Sequence, residues 1–222
     1  YKDTEFIKVI TGIRRCGKSS LLKLFMEKIL QENKKTNVIY MNFESFEFDE
    51  IVDYKDMYIK IKNQIKEKEI NYILLDEVQR VVNWEKCVNA LIVDFKCDIY
   101  ITGSNAYLLS SELSTYLSGR YIEIKMLPLS FKEFLEFTQF SNDIAIEEKF
   151  VEYIKFGGMP GIITLKNDNN LYENAIKGIY HTVFMKDVIE RNKLIDATLL
   201  EKVLKFLMNN IGSMVSSKKI SD

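Results

Sequence analysis

Apolar, β-branched runs alternate along the chain with longer amphipathic segments. The runs "FIKVITG", "NVIYMNF", "NYILLDEV" and "DIYITGS" predict four strands, and the apolar spacing between them predicts helices over 18–31, 54–68 and 84–95. In the first helix Leu21, Leu22, Leu24, Phe25 and Ile29 are expected on one face, with Lys23, Glu27 and Lys28 on the other. Strands alternating with helices imply right-handed βαβ crossovers and a parallel sheet, so the expected fold class is α/β. Strands apolar at nearly every position imply cover on both faces. "YIEIKM" differs, because Ile122, Ile124 and Met126 alternate with Tyr121, Glu123 and Lys125, the pattern of a half-exposed edge strand. After Pro128 the period turns helical, over 131–137, 147–156, 171–192 and 197–210. Phe131, Phe134 and Phe137 then read as packing residues at helical spacing. The expected organisation is a core over 1–127, a helical lid over 128–195 and the beginning of a further domain over 196–222.

Charge and composition narrow the function classes. With 31 basic and 32 acidic residues among 222, the formal net charge is −1, so no global field recruits nucleic acid or an anionic membrane. Cys16, Cys87 and Cys97 form no C-x-x-C pair, which excludes a disulfide framework and a zinc site and fits small packing residues in a reducing cytoplasm. No apolar run reaches the roughly 18 residues that a membrane span needs, and "YKDTEF" is no signal peptide. The chain begins at Tyr1 and ends on "SSKKISD", where a serine N-cap opens a helix that does not continue; it reads as a fragment cut at both ends.

Residues Gly12 to Ser19, "GIRRCGKS", match G-x-x-x-x-G-K-[ST] between a predicted strand and a predicted helix. Glycines at those positions let successive backbone N–H groups turn inward on phosphate oxygens, and the following helix adds its positive end. The candidate phosphate-binding positions are Gly12, Ile13, Arg14, Arg15, Cys16, Gly17, Lys18, Ser19 and Ser20. Lys18 reaches the β- and γ-phosphates as a mobile point charge, and the Ser19 hydroxyl is a ligand for Mg²⁺. Arg14 and Arg15 occupy the variable positions, where holding phosphate and plain solvation both remain open.

A cradle alone only binds, and hydrolysis needs a carboxylate. "YILLDEVQ" ends an apolar strand on Asp76, expected to hold Mg²⁺, with Glu77 placed to orient and deprotonate an attacking water. A helix cap is the alternative role for such a pair. Gln79 and Arg80 read as structural or partner-facing. The fourth strand ends "ITGSN", where Ser104 and Asn105 compete to bond the γ-phosphate or its water; Asn105 is preferred because its amide both donates and accepts, and an N-cap role competes for either.

Together "IKVITGIRRCGKSSLL", "YILLDEVQ", "ITGSNAYLLSSELSTYLSGRYIEIKMLPLSFKEFL" and "FGGMPG" resemble the archaeal and bacterial AAA-type P-loop ATPases that carry a C-terminal winged-helix and nuclease-like domain. The resemblance covers nearly the whole chain. It implies an ASCE-type sheet of order 5-1-4-3-2, a helical lid, and "NIGSMVSSKKISD" as the first part of the winged helix, with the nuclease-like part beyond residue 222. It implies ATP and Mg²⁺ as cofactors, ATP/ADP, DNA and further copies of the chain as partners, and Arg120, in "STYLSGRYIEI", as an arginine that touches a neighbour's γ-phosphate. A salt bridge with Glu123 or Glu112 is the rival reading of Arg120. His181 reads as a packed or surface residue, "GGMPG" as a hinge in preference to a loop that closes near the nucleotide, and Arg191 as a surface arginine or a lid arginine. An ATPase driving rearrangement of an attached domain or partner, a slow nucleotide-gated switch, and a small-molecule kinase remain as functions. Glu77 beside Asp76 weighs against the kinase, since a water-activating base would waste ATP.

Overall fold

A computed structural model of the chain describes residues 1–32, 35–103, 117, 119–141, 143–165, 167–183 and 197–221. Five strands, β1 (Ile7–Thr11), β2 (Thr36–Asn42), β3 (Ile70–Asp76), β4 (Cys97–Thr102) and β5 (Tyr121–Lys125), form one sheet in the order β2-β3-β4-β1-β5. Every pairing is parallel, which is the P-loop order expected from the sequence, read here from the opposite edge. Helix α1 (Lys18–Glu32) covers one face, and α2 (Tyr54–Lys62) and α3 (Trp84–Asp94) cover the other. Period-two alternation divides the strands between the two cores. Ile7, Val9, Ile73, Leu75, Ile99 and Ile101 pack with Met57, Val88 and Leu91, while Ile10, Tyr72, Leu74 and Tyr100 pack with Leu22 and Ile29 of α1.

Two expectations are corrected by this packing. On α1 Leu22 and Ile29, with half-buried Phe25 and Met26, meet the sheet; Leu24 is 63% exposed and Leu21 also faces outward, because the buried stripe follows i, i+3, i+4, i+7 from Leu22 and leaves 21 and 24 outside it. Helix α2 ends at Lys62 rather than at 68. The Asn71 side chain takes the Lys66 N–H at 3.0 Å and donates to the carbonyls of Lys66 and Glu69, so it holds the last stretch as a turn instead. β2 is only half-buried, as the outermost strand must be.

Two charges lie inside the α1 face of the sheet. Lys8 on β1 is fully buried and pairs with the Asp98 carboxylate on β4, while donating to the Thr4 carbonyl at 2.9 Å and lying over the Tyr100 ring. Asp98 also accepts the Asp3 N–H at 2.8 Å and the Tyr100 hydroxyl at 3.2 Å, and the Tyr72 hydroxyl reaches Asp3. The apolar strand runs thus carry a closed polar network at the amino edge of the sheet, with its members satisfied by one another. Burial pushes the Cys87 and Cys97 thiols up to about 12, Cys97 helped by the Asp98 charge, as fits inert packing residues.

Beyond the sheet come α4 (Phe131–Thr138), α5 (Ile146–Phe156), the short α6 (Pro160–Ile163), α7 (Asn169–Thr182), α8 (Ala197–Asn209) and α9 (Ser217–Ser221). Ser130 and Glu133 close a capping box at the start of α4, and these bonds hold the Glu133 carboxyl below its usual range. Phe134 is buried and meets Phe140 and Tyr153, Phe131 meets Phe150 and Tyr153, and Phe137 faces outward. Gly157, at φ 69°, ends α5, and the backbone of Gly158 lies so close to Leu129 that a Cβ there would strike the Leu129 carbonyl oxygen. The chain forms two compact units, Tyr1–Ile176 and Lys177–Asp222. In the second, Ser216 caps the start of α9 through the Lys219 N–H at 3.3 Å. No helix among the described residues is long and apolar enough to cross a membrane.

Candidate functional site: a phosphate loop beside a buried carboxylate

β1 ends at Thr11, and the chain turns at once through Gly12 to Gly17 into α1. A Cβ on Gly12 would lie 2.5 Å from the Met126 carbonyl oxygen and 2.8 Å from the Cys16 sulfur, so only glycine fits between them. Gly17 has φ 103° and Arg15 sits left-handed at φ 63°, which curls the loop so that Cys16, fully buried, bonds back to the Ile13 carbonyl at 3.3 Å. Lys18, 5% exposed, opens α1 and donates to the carbonyls of Gly12 at 2.9 Å and Ile13 at 3.1 Å, closing the loop across its own mouth. Ser19 is half-buried and Ser20, Ile13 and Arg15 are exposed, with Arg14 half-buried. The first turn of α1 holds no acidic residue, so the helix offsets its positive end with no carboxylate of its own there.

Asp76 closes β3 and is fully buried. Both carboxylate oxygens are held by hydroxyls, one by Thr102 at the tip of β4 and the other by Tyr40 of β2 at 3.1 Å. Burial, then the charge of Asp76 beside it, raises the Tyr40 hydroxyl well above the usual tyrosine range, so it stays a donor at neutral pH. The Thr102 oxygen in turn accepts the Glu77 N–H at 3.1 Å. Glu77 is left-handed at φ 56°, ψ 44°, which swings its side chain off the strand line, and its carboxylate accepts the Gln79 amide at 2.5 Å. Thr102 is level with Ile10 of β1, so the tip of β4 stands between the strand that feeds the phosphate loop and the acidic pair.

The chemistry of this donor set fits a phosphorylated ligand with a hard cation. The loop offers inward backbone, a lysine and a helix start, while Ser19 and Asp76 are the oxygen donors that Mg²⁺ prefers. Ser104, Asn105 and Arg191 lie outside the described residues. Arg120 is exposed at the other edge of the sheet, where its carbonyl accepts the Ile7 N–H at 2.9 Å at the amino end of β1. Among the described residues it has no ion pair: Glu123 instead accepts the Thr11 hydroxyl at 2.7 Å, and Glu112 lies outside them. Arg80 makes an exposed ion pair with Glu44 at 3.1 Å, and His181 is exposed on α7 beside Tyr180. The "GGMPG" segment lies against the phosphate loop, with the Pro160 ring 3.9 Å from where a Gly17 Cβ would stand.

Around the carboxylates, Tyr40 and Thr102 escaped the sequence reading, and Gln79, read as structural or partner-facing, bonds the Glu77 carboxylate. Thr102 had a signal, since parallel register pairs Leu75 with Ile101 and so sets position 76 beside 102. The other two depend on side-chain reach that periodicity does not encode.

A family model described as an AAA domain matches residues 4–135, more than half of the 222 residues. The chain belongs to the AAA domain family. A second model, of a domain of unknown function, matches residues 147–222. An uncharacterized protein of Haemophilus influenzae is 44% identical over 225 residues, covering 100% of this chain and 56% of that protein. The uncharacterized protein MJ1544 of Methanocaldococcus jannaschii is 37% identical over 229 residues, covering 97% of this chain and 49% of that protein. The chain thus spans about half the length of these curated relatives. Among solved structures, AMPPCP-bound DnaA from Aquifex aeolicus matches 97% of this chain and 69% of its own, at 18% identity and a TM-score of 0.45. The Aeropyrum pernix Orc1 protein in complex with DNA matches 97% and 70%, at 13% identity and a TM-score of 0.47. These AAA-family residues include the whole phosphate loop, Asp76, Glu77, Thr102 and Arg120.

Proposed function

We propose that this AAA-family chain binds ATP with Mg²⁺ and hydrolyses it, and that the cycle rearranges an attached domain or partner. The observation that carries the reading is the placement, at the tips of β1 and β3 on either side of the β4 tip, of a lysine-bearing glycine loop and a fully buried aspartate followed by a left-handed glutamate. Lys18 leaves its two loop carbonyls for the β- and γ-phosphates, and Ser19 and Asp76 hold the cation. When bound, Mg²⁺ would neutralise charge on the phosphoryl oxygens. Glu77 orients the attacking water and takes its proton, while Thr102 and Tyr40 keep Asp76 aimed. Asn105 serves beside the γ-phosphate. In this reading 128–195 is the helical lid and 196–222 opens a winged helix, through which a longer cytoplasmic protein would meet DNA.

Lys18→Ala is expected to weaken ATP·Mg²⁺ binding about 10- to 100-fold, the worth of hydrogen bonds to a charged group. Calorimetry returning equal affinities for the two proteins would end the phosphate-loop assignment. Arg120, exposed on the edge away from its own loop, is proposed to serve a neighbouring copy's γ-phosphate with its planar, permanently charged guanidinium. Turnover per molecule should then rise with protein concentration, and Arg120→Ala should remove the rise while nucleotide affinity stays unchanged. A rate indifferent to concentration and to that substitution returns Arg120 to a surface role.

A further inference from the structure

The Gln79 side chain makes an uneven set of contacts. Its amide nitrogen donates to the Glu77 carboxylate at 2.5 Å, but its carbonyl oxygen is buried with no hydrogen-bond partner among the described residues. The opposite amide flip would set two acceptors face to face, so the orientation follows from the carboxylate itself. A buried acceptor without a partner is a standing cost, and an apolar side chain of the same shape would remove it. The backbone under Gln79 is firmly held. Val78 and Val81 on either side are buried in the core beneath α2 and α3, and the turn is closed by the Arg80 N–H to the Glu77 carbonyl at 3.2 Å and the Val81 N–H to the Val78 carbonyl at 3.1 Å. A rigid turn therefore presents one donor to the carboxylate at a cost that packing alone does not explain.

We infer that Gln79 is the positioning residue of Glu77: its amide fixes the rotamer of the carboxylate that takes the proton from water. The inference rests on the ATPase reading of Glu77. Without the amide, the carboxylate rotates freely about its side-chain bonds and spends less time aimed at the water, while the phosphate loop and the Asp76 hydroxyl pair are untouched. The effect falls on kcat and not on nucleotide binding.

The test compares wild type, Glu77→Gln, Gln79→Met and the double variant by steady-state ATP turnover, calorimetric ATP·Mg²⁺ affinity and thermal melting. Gln79→Met is expected to lower kcat about 10- to 100-fold, the range of a hydrogen bond to a charged group. KM and nucleotide affinity should stay within about twofold of wild type, and the melting temperature should stay level or rise because the orphaned carbonyl is gone. In the double variant Gln79→Met should add no further loss, since its whole effect passes through Glu77. Gln79→Glu, which sets a carboxylate against a carboxylate, should lower kcat at least as far. Turnover that depends on Glu77 but not on Gln79→Met overturns the assignment alone, as do losses that multiply in the double variant or a melting temperature that falls in step with kcat. Turnover indifferent to Glu77→Gln overturns the reading of Glu77 as the base and the Gln79 assignment with it.

Discussion

Glu77→Gln should leave ATP·Mg²⁺ affinity within about twofold of wild type and lower steady-state turnover by about 100-fold or more, the usual worth of a positioned base. Glutamine keeps the volume of the side chain and its ability to accept from Gln79, and the left-handed backbone at 77 tolerates it as well as glutamate, so fold and loop are preserved. What is lost is the capacity to take a proton. The neighbouring Asp76 does not substitute, because the hydroxyls of Thr102 and Tyr40 fix its carboxylate and the same reading commits it to the cation. Calorimetry and a turnover assay on the same two preparations check this. An unchanged rate would place the base elsewhere.

Asp98→Ala should lower stability by about 3–5 kcal/mol, the cost of stranding one member of a buried ion pair. For a chain of this size that corresponds to a fall of roughly 6–20 °C in melting temperature. Lys8 would keep only the Thr4 carbonyl and the Tyr100 ring, and the Asp3 N–H and Tyr100 hydroxyl would lose their acceptor. The loss is not of the pair's attraction as such. Replacing both partners, as Lys8→Met with Asp98→Leu, should recover much of it, since an apolar pair avoids the desolvation penalty. The only tryptophan, Trp84, packs in the core on the opposite face of the same sheet and reports the transition by fluorescence. A double variant no more stable than Asp98→Ala would show that the network itself, rather than the stranded charge, carries the stability.

What was legible in the sequence was whatever is written locally. Gly12, Gly17 and Lys18 declare a turn and a helix start within eight residues, and the apolar runs declare strands because a sheet covered on both faces leaves few positions for polar residues. β5 was legible as an edge from its alternation, and among the described residues it pairs only with β1. The face of α1 was misread from its own periodicity, whereas the end of α2 was missed because a residue outside the helix decides the local structure. α2 stops at Lys62 because Asn71, on the next strand, claims the turn that follows it. Lys8 and Asp98 are isolated charges in apolar runs, and only the adjacency of β1 and β4 makes them partners. Thr102 and Tyr40 became part of the site in the same way, by being on strands whose tips the sheet brings together, while Gln79 needed its side-chain direction to be seen.

The left-handed backbone at Glu77 sets chemistry and robustness against one another. A non-glycine residue in that region costs about 1 kcal/mol or more, which glycine would avoid and asparagine would reduce, and a buried carbonyl at 79 adds a second such cost that an aliphatic side chain would remove. Laboratory evolution that rewards heat resistance without assaying turnover would therefore enrich glycine or asparagine at 77 and methionine or leucine at 79. Such a library would yield sturdier proteins by dismantling the acidic half of the site, leaving the phosphate loop behind as a pure nucleotide holder.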